Sequence, residues 1–282
     1  MRALADRVAV ITGGAQGIGR ALALECARAG MHVALADIDE GGMREAAELV
    51  EQQGRRAICV PTDVRERAAL EHLLARTLSE LGSCHLAFNN AGVMHAAAML
   101  EAPEAQWKRV IDTNLWGVIH GSRVFGAHFV GQGEGHIVNT ASAAGLFPAP
   151  GMSSYSTAKY AIVGFSQQLR WELAARGVGV TVVCPGVIRT GIGKAEGAGL
   201  RAEDVDMLIK RAPLPDGLAR KVLRAVQRDR PLVRYGWEAY LVSVLRLLPQ
   251  WIIDPLGRTA ARQALAAPAL NALPPPASND PR

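Results

Sequence analysis

Tyr155 and Lys159 stand four residues apart in the run Ser154-Tyr155-Ser156-Thr157-Ala158-Lys159, with Ser142 upstream. On a helix, positions i and i+4 share one face, so the phenol and the ammonium can address the same point. A phenol is a poor base near neutrality because its reference pKa is about 10. A cation held beside it favours the phenolate and moves that pKa toward the working range. The trio reads as an acid/base centre, with a hydroxyl positioned to hold the oxygen of a reacting carbon. YxxxK also occurs by chance on surface helices, so the elements around it must carry the reading further.

Val8-Ala9-Val10-Ile11 is a continuous apolar run of the kind found in parallel strands buried on both faces. It passes into Thr12-Gly13-Gly14-Ala15-Gln16-Gly17-Ile18-Gly19 and then into the helix-forming run Arg20–Ala27. Strand, glycine turn and helix together are the context in which glycines signal dinucleotide binding. Gly13, Gly17 and Gly19 let backbone approach a pyrophosphate, with Gln16 and Ile18 between them, and the helix N-terminus offers N–H groups. A plain strand-to-helix turn is the competing reading. A second apolar run, His32–Ala36, ends in Asp37, where a carboxylate can accept hydrogen bonds from the adenosine ribose and repel a 2′-phosphate. Neither Gln16 nor Ile38 offers a cation to reverse that preference, which selects NAD over NADP. Asp39 and Glu40 read as helix-capping residues.

With these motifs in order, the chain resembles the short-chain dehydrogenase/reductase family in its compact single-domain branch, over roughly residues 5–235. The resemblance places Asp63-Val64 at the adenine, and Asn90, Ala91 and Gly92 of the Asn89–Gly92 motif beside the cofactor. It makes Asn114, Ser142, Tyr155 and Lys159 the catalytic set. Asn114 then holds a water that joins Lys159 to solvent, and Lys159 also bonds the nicotinamide ribose. Pro185-Gly186, Ile188 and Thr190 follow the sixth strand, with Thr190 at the nicotinamide carboxamide. The family also implies a homodimer or homotetramer. Extended members carry TGxxGxxG, and the enoyl-reductase branch widens the Tyr–Lys spacing; this chain does neither.

The 282 residues suffice for one α/β domain. Apolar runs predict strands near 8–12, 32–37, 56–61, 84–89, 135–141, 179–184 and 231–235, separated by helices. The fold class expected is a Rossmann-type, doubly wound parallel sheet of about seven strands, with ligands at the strand C-termini. Residues 1–235 form the catalytic domain, 236–262 a helical extension packed on it, and 263–282 a disordered Pro-rich tail. Cys26, Cys59, Cys84 and Cys184 show no metal spacing and read as buried thiols in a reducing compartment; no metal is expected. With no signal peptide or spanning segment apparent, the expected location is cytoplasmic.

The net charge of +5 concentrates in residues 217–262, which hold nine Lys/Arg against three Asp/Glu. A solvated helix face, an acidic substrate or an anionic membrane could each account for it; no nucleic-acid module accompanies it. Residues 143–152 carry no charge and predict an apolar substrate wall. Five glycines between 186 and 199 suggest a mobile lid, with Arg189 and Lys194 as possible anion ligands. Trp237, Tyr240, Leu241, Val244, Leu245 and Leu248 recur at helical spacing, a stripe that could pack on the chain's own core or another subunit, cover a bulky substrate, or lie on a membrane. The function expected is NAD-dependent interconversion of an apolar secondary alcohol and a ketone. An NADPH-dependent ketone reductase and a non-catalytic NAD-binding regulator are the alternatives.

Overall fold

The computed structural model of the protein describes residues 3–97, 99–190 and 211–264. The seven expected strands are present: β1 (Val8–Thr12), β2 (His32–Asp37), β3 (Ala57–Pro61), β4 (Leu86–Asn89), β5 (Gly135–Thr140), β6 (Val178–Pro185) and β7 (Leu232–Tyr235). They form one sheet in the order β3-β2-β1-β4-β5-β6-β7. Every pairing is parallel, with Val10 opposite both Ala34 and Ala87, and Val138 opposite Phe88 and Thr181.

Strand β1 shows why the runs are continuously apolar. All five of its residues are buried, because alternate side chains enter opposite layers. Ala9 and Ile11 join Leu22, Leu35 and Met43 under helices α1 (Gly17–Arg28) and α2 (Glu40–Glu51), while Val8 and Val10 join Leu70, Phe125 and Phe129 on the other face. That second layer carries α3 (Arg67–Leu81), α5 (Gly117–Gln132) and α6 (Ser153–Ala174), with the short α4 (Glu104–Ile111) packed against α6. Burial of each such Phe contributes roughly 1.5–3 kcal/mol. Asp39 caps α2, as expected, by accepting from the Gly42 N–H at 3.0 Å.

Between the layers runs a buried polar network. Asn89 donates to Asn139 at 2.8 Å and to Ser122 at 3.2 Å, and Asn139 donates to Ser166 at 3.0 Å. It fixes β4, β5, α5 and α6 with respect to one another, which is what a site assembled from all four requires.

The C-terminal extension departs from expectation in two ways. It is two helices, α8 (Trp237–Leu245) and α9 (Gln250–Ala264), separated at Pro249; α7 (Pro215–Gln227) precedes β7. The apolar stripe turns only in part toward the rest of the chain: Trp237, Tyr240, Leu241 and Val244 are exposed, Leu245 and Leu248 are half-buried, and it is Ala239 that is buried and Val242 that packs inward. Periodicity marks two faces of a helix without saying which meets the core, and here small residues fit closely beneath α8. The expected lid across 191–199, with Lys194, and the tail from residue 265 lie outside the described residues.

Candidate active site

The chain turns at the C-terminal ends of β1, β4, β5 and β6 converge on one crevice. Gly13 has φ +67°, the left-handed region that glycine tolerates, and turns the backbone from β1 into α1. A Cβ on Gly19 would lie 1.9 Å from the Gly13 carbonyl oxygen, so only glycine permits this tight approach. Gln16 precedes α1 in extended conformation and supplies no side-chain cap, which leaves first-turn N–H groups free of a side-chain partner. Uncapped donors at a helix N-terminus beside a glycine turn suit a pyrophosphate.

Asp37 ends β2 with its carboxylate held at this loop. It accepts from the N–H groups of Ala15 at 3.1 Å, Ile38 at 2.8 Å and Asp39 at 3.1 Å. Ile38 is exposed. A cation that the sequence reading passed over, Arg20, lies nearby, yet it donates to the Ala15 carbonyl at 2.8 Å and pairs with Glu45 at 3.0 Å. Asp63, after β3, is engaged by Arg65 through both carboxylate oxygens, which holds it below the usual carboxylate range. Val64 is buried against Gly117.

Thr12 and Asn90 tie the glycine loop to the far half of the site. The Thr12 hydroxyl accepts from the N–H groups of Asn90 and Ala91 at 2.9 and 3.1 Å, and the Asn90 amide donates to the Thr12 carbonyl at 3.0 Å. Thr140 at the end of β5 donates to Asn90 Oδ1 at 3.3 Å, while its carbonyl accepts from Lys159 Nζ at 2.9 Å. Thr140 thus links cofactor loop to lysine; a threonine ending a strand gives no sequence signal of that role.

Tyr155 and Lys159 occupy the first turns of α6, both buried, with Nζ 5.4 Å from the ring centroid. The Ser142 side chain lies beside the Tyr155 hydroxyl, close enough to favour its ionised form. Ser142 Oγ also accepts from the Ala144 N–H at 3.2 Å, which fixes it at the start of a short 3-10 turn, Ala143–Gly145. The expected lowering of the phenol pKa by the lysine is not what dominates here. Burial raises it, opposed in part by the Ser142 side chain. Burial also lowers Lys159 to about 8, because a desolvated ammonium with one carbonyl partner is a weakened cation. Cys184, read from sequence as a buried free thiol, lies beside Ser142 and Lys159, and burial pushes the thiol up to about 12.

Asn114 sits in a π-helical segment, Asp112–Trp116, fully buried. Its amide donates to the Val93 carbonyl and its oxygen accepts from the Val93 N–H, each at 2.8 Å. The side chain therefore clamps the strand-to-loop passage after Gly92. A Cβ on Gly92 would lie 3.0 Å from Asn114 Oδ1 and 3.7 Å from Lys159 Nζ, so glycine keeps side-chain bulk from between them. After β6, the Gly186 N–H bonds the Tyr235 carbonyl at 2.7 Å, Ile188 is buried in the core, and Thr190 approaches Gly17. Val93, Met94, Ala144 and Met152 pack against the small cluster of Val110, Tyr155 and Ala158, which brings Ala144 and Met152 of the uncharged stretch 143–152 to the tyrosine's neighbourhood.

Comparison with known proteins agrees with this geometry. The short chain dehydrogenase family profile matches residues 7–200. Probable oxidoreductase EphD of Mycobacterium tuberculosis is 38% identical over 258 residues, covering 87% of this chain and 44% of EphD. The chain thus spans less than half the length of that relative. Subunit BbsD of (2S)-[(R)-hydroxy(phenyl)methyl]succinyl-CoA dehydrogenase from Thauera aromatica is 33% identical over 233 residues, 81% of this chain and 92% of BbsD. A crystal structure of a short chain dehydrogenase/reductase from Burkholderia phymatum in complex with NAD superposes with TM-score 0.82 at 32% identity, over 91% of this chain and 97% of that one.

Proposed function

This chain belongs to the short-chain dehydrogenase family, and we propose that it is an NAD-dependent oxidoreductase interconverting a secondary alcohol and a ketone on an apolar substrate. The observation that carries the reading is the buried Tyr155, with the Ser142 side chain beside its hydroxyl and Lys159 Nζ 5.4 Å from its ring, at the C-terminal edge of a doubly wound sheet. A nicotinamide dinucleotide fits the residues present. The glycine turn and uncapped α1 would take the pyrophosphate, Asp37 the adenosine ribose, and Asp63-Val64 the adenine edge; the Asn90–Gly92 backbone, Pro185-Gly186, Ile188 and Thr190 would flank the nicotinamide half. Bound there, it would supply the acceptor for the carbinol hydride.

The protein's own groups then handle the proton and the developing charge. Tyr155 as phenolate takes the hydroxyl proton of the alcohol as the carbinol C–H bond breaks and the C=O forms. Ser142 donates to the same oxygen and holds it at the phenol. Lys159, charged below about 8, offsets part of the cost that burial sets on the phenolate. Asn114 Oδ1 retains a second lone pair on the Lys159 side of Gly92, suited to hold a water that passes the proton onward. Val93, Met94 and Met152 favour an apolar body on the substrate. The name of BbsD describes oxidation of a benzylic secondary alcohol, a compatible class.

The test follows reduced-nicotinamide absorbance with NAD and with NADP across aromatic, steroid, terpenoid and long-chain secondary alcohols. Turnover favouring NAD is expected. Turnover with NADP alone would overturn the assignment of Asp37, and tight NAD binding without turnover on any alcohol would favour a regulator.

A further inference from the structure

Helices α8 and α9 and the turn between them display large apolar side chains that the fold does not use. Trp237 is 72% exposed, Leu247 82% and Trp251 75%, and Tyr240, Leu241 and Val244 are exposed with them. Soluble proteins seldom leave so many large apolar groups open along a stretch this short, and such patches mark interaction surfaces.

Cations outnumber carboxylates around these side chains. Lys221 Nζ and the Arg234 guanidinium lie 5.0 and 5.5 Å from the Tyr240 ring centroid, Arg246 is exposed in the turn after α8, and Arg258 and Arg262 are exposed on α9. The same helices carry two carboxylates, one of them exposed. Glu238 is half-buried, its carboxylate turned against the Gly186 and Gly236 backbone, and Asp254 accepts from Gln250 at 2.5 Å.

We propose that α8 and α9 form a peripheral docking surface for an anionic lipid bilayer. Tryptophan and tyrosine favour the boundary between headgroups and acyl chains, and arginines can reach phosphates while their stems lie along apolar surface. A second copy of this chain would bring the same cationic surface against itself, whereas anionic headgroups complement it. Among the described residues no helix is long and apolar enough to cross a membrane, so the contact is made in the plane of the interface.

The experiment is sedimentation of the full-length protein with vesicles of phosphatidylcholine alone, and of phosphatidylcholine with about one-third phosphatidylglycerol. It requires no turnover, so it stands apart from the enzymatic reading. Binding about tenfold stronger to the anionic vesicles, falling as salt rises, is expected. The double variant Leu247→Glu/Trp251→Glu should lose it with an unchanged thermal melt, since both positions are exposed. The triple variant Arg246→Gln/Arg258→Gln/Arg262→Gln should lose the anionic preference. Absence of binding to either vesicle, or undiminished binding by the double variant, overturns the proposal. Light scattering that shows self-association abolished by Leu247→Glu/Trp251→Glu, without vesicle binding, would assign the face to a second copy instead.

Discussion

Strands β5 and β6 carry buried ionisable neighbours at both ends, and the two ends are built differently. At the N-terminal end His136 is fully buried with Nε2 2.8 Å from the Thr181 hydroxyl. That hydroxyl donates to the Arg230 carbonyl at 2.7 Å, so Nε2 carries the ring proton and Nδ1 faces Asp229 at 4.0 Å. Asp229 is itself held by Arg170 at 2.7 Å. Burial drives His136 down to about 3, which keeps it neutral. At the C-terminal end Tyr155 and Lys159 are equally buried, yet among the described residues Lys159 forms no ion pair and has one carbonyl acceptor. One end is closed to protons; the other holds two desolvated groups with bonding capacity to spare. Both ends leave a buried nitrogen short of partners, His136 Nδ1 at one and Lys159 Nζ at the other, but only the Lys159 end lies beside the glycine loop and Tyr155, where that capacity can serve chemistry.

Removing the charge at the open end gives the largest expected effect. Lys159→Met should lower kcat about a thousandfold while leaving the melting temperature unchanged or higher, because a buried, poorly partnered cation is replaced by an apolar chain of similar length. Steady-state kinetics and a thermal melt check this together. A fall in both activity and stability would erase the contrast between the two ends.

The closed end predicts a pH effect of opposite character. Its histidine has a folded pKa near 3 against 6.5 unfolded, so between those values the unfolded chain binds more protons. Stability from this group is full above pH 6.5 and is lost as pH falls through the window, on the order of 3 kcal/mol by pH 4. Denaturant titrations at pH 7 and pH 4 should show that loss, and His136→Gln should reduce it. An equal pH slope in the variant would move the effect to other groups.

Asp37 lies at the rim between these extremes, partly exposed and therefore screened. Asp37→Ala should shift the ratio of kcat/KM for NAD over NADP by about tenfold toward NADP. An unchanged ratio would show that another residue selects the cofactor.

Much of this architecture was legible in the chain itself. Continuous runs such as Val8–Ile11 have one stable use, a strand with both faces covered, and a glycine turn followed by a helix needs no tertiary context to be recognised. Tyr155 and Lys159 were legible because helical spacing alone puts them on one face. What escaped depends on contacts distant in sequence. Thr140 matters because Asn90 and Lys159 arrive beside it. Asn114 is spent on Val93 through a π-turn that no periodicity announces. Desolvation outweighs the Lys159 charge at Tyr155, and burial depth is a property of the assembled layers. The stripe from Trp237 had the right period, but a period cannot say that Ala239 and Val242 would take the inner face.

The central claim is that Tyr155 moves the proton at a site whose binding of cofactor does not depend on its hydroxyl. Calorimetry of NAD binding and steady-state turnover on Tyr155→Phe test it most directly. We expect turnover to fall by about a thousandfold or more with NAD affinity within about threefold of wild type, a difference of about 0.6 kcal/mol. Turnover retained within about tenfold would contradict the claim and assign the proton to another group.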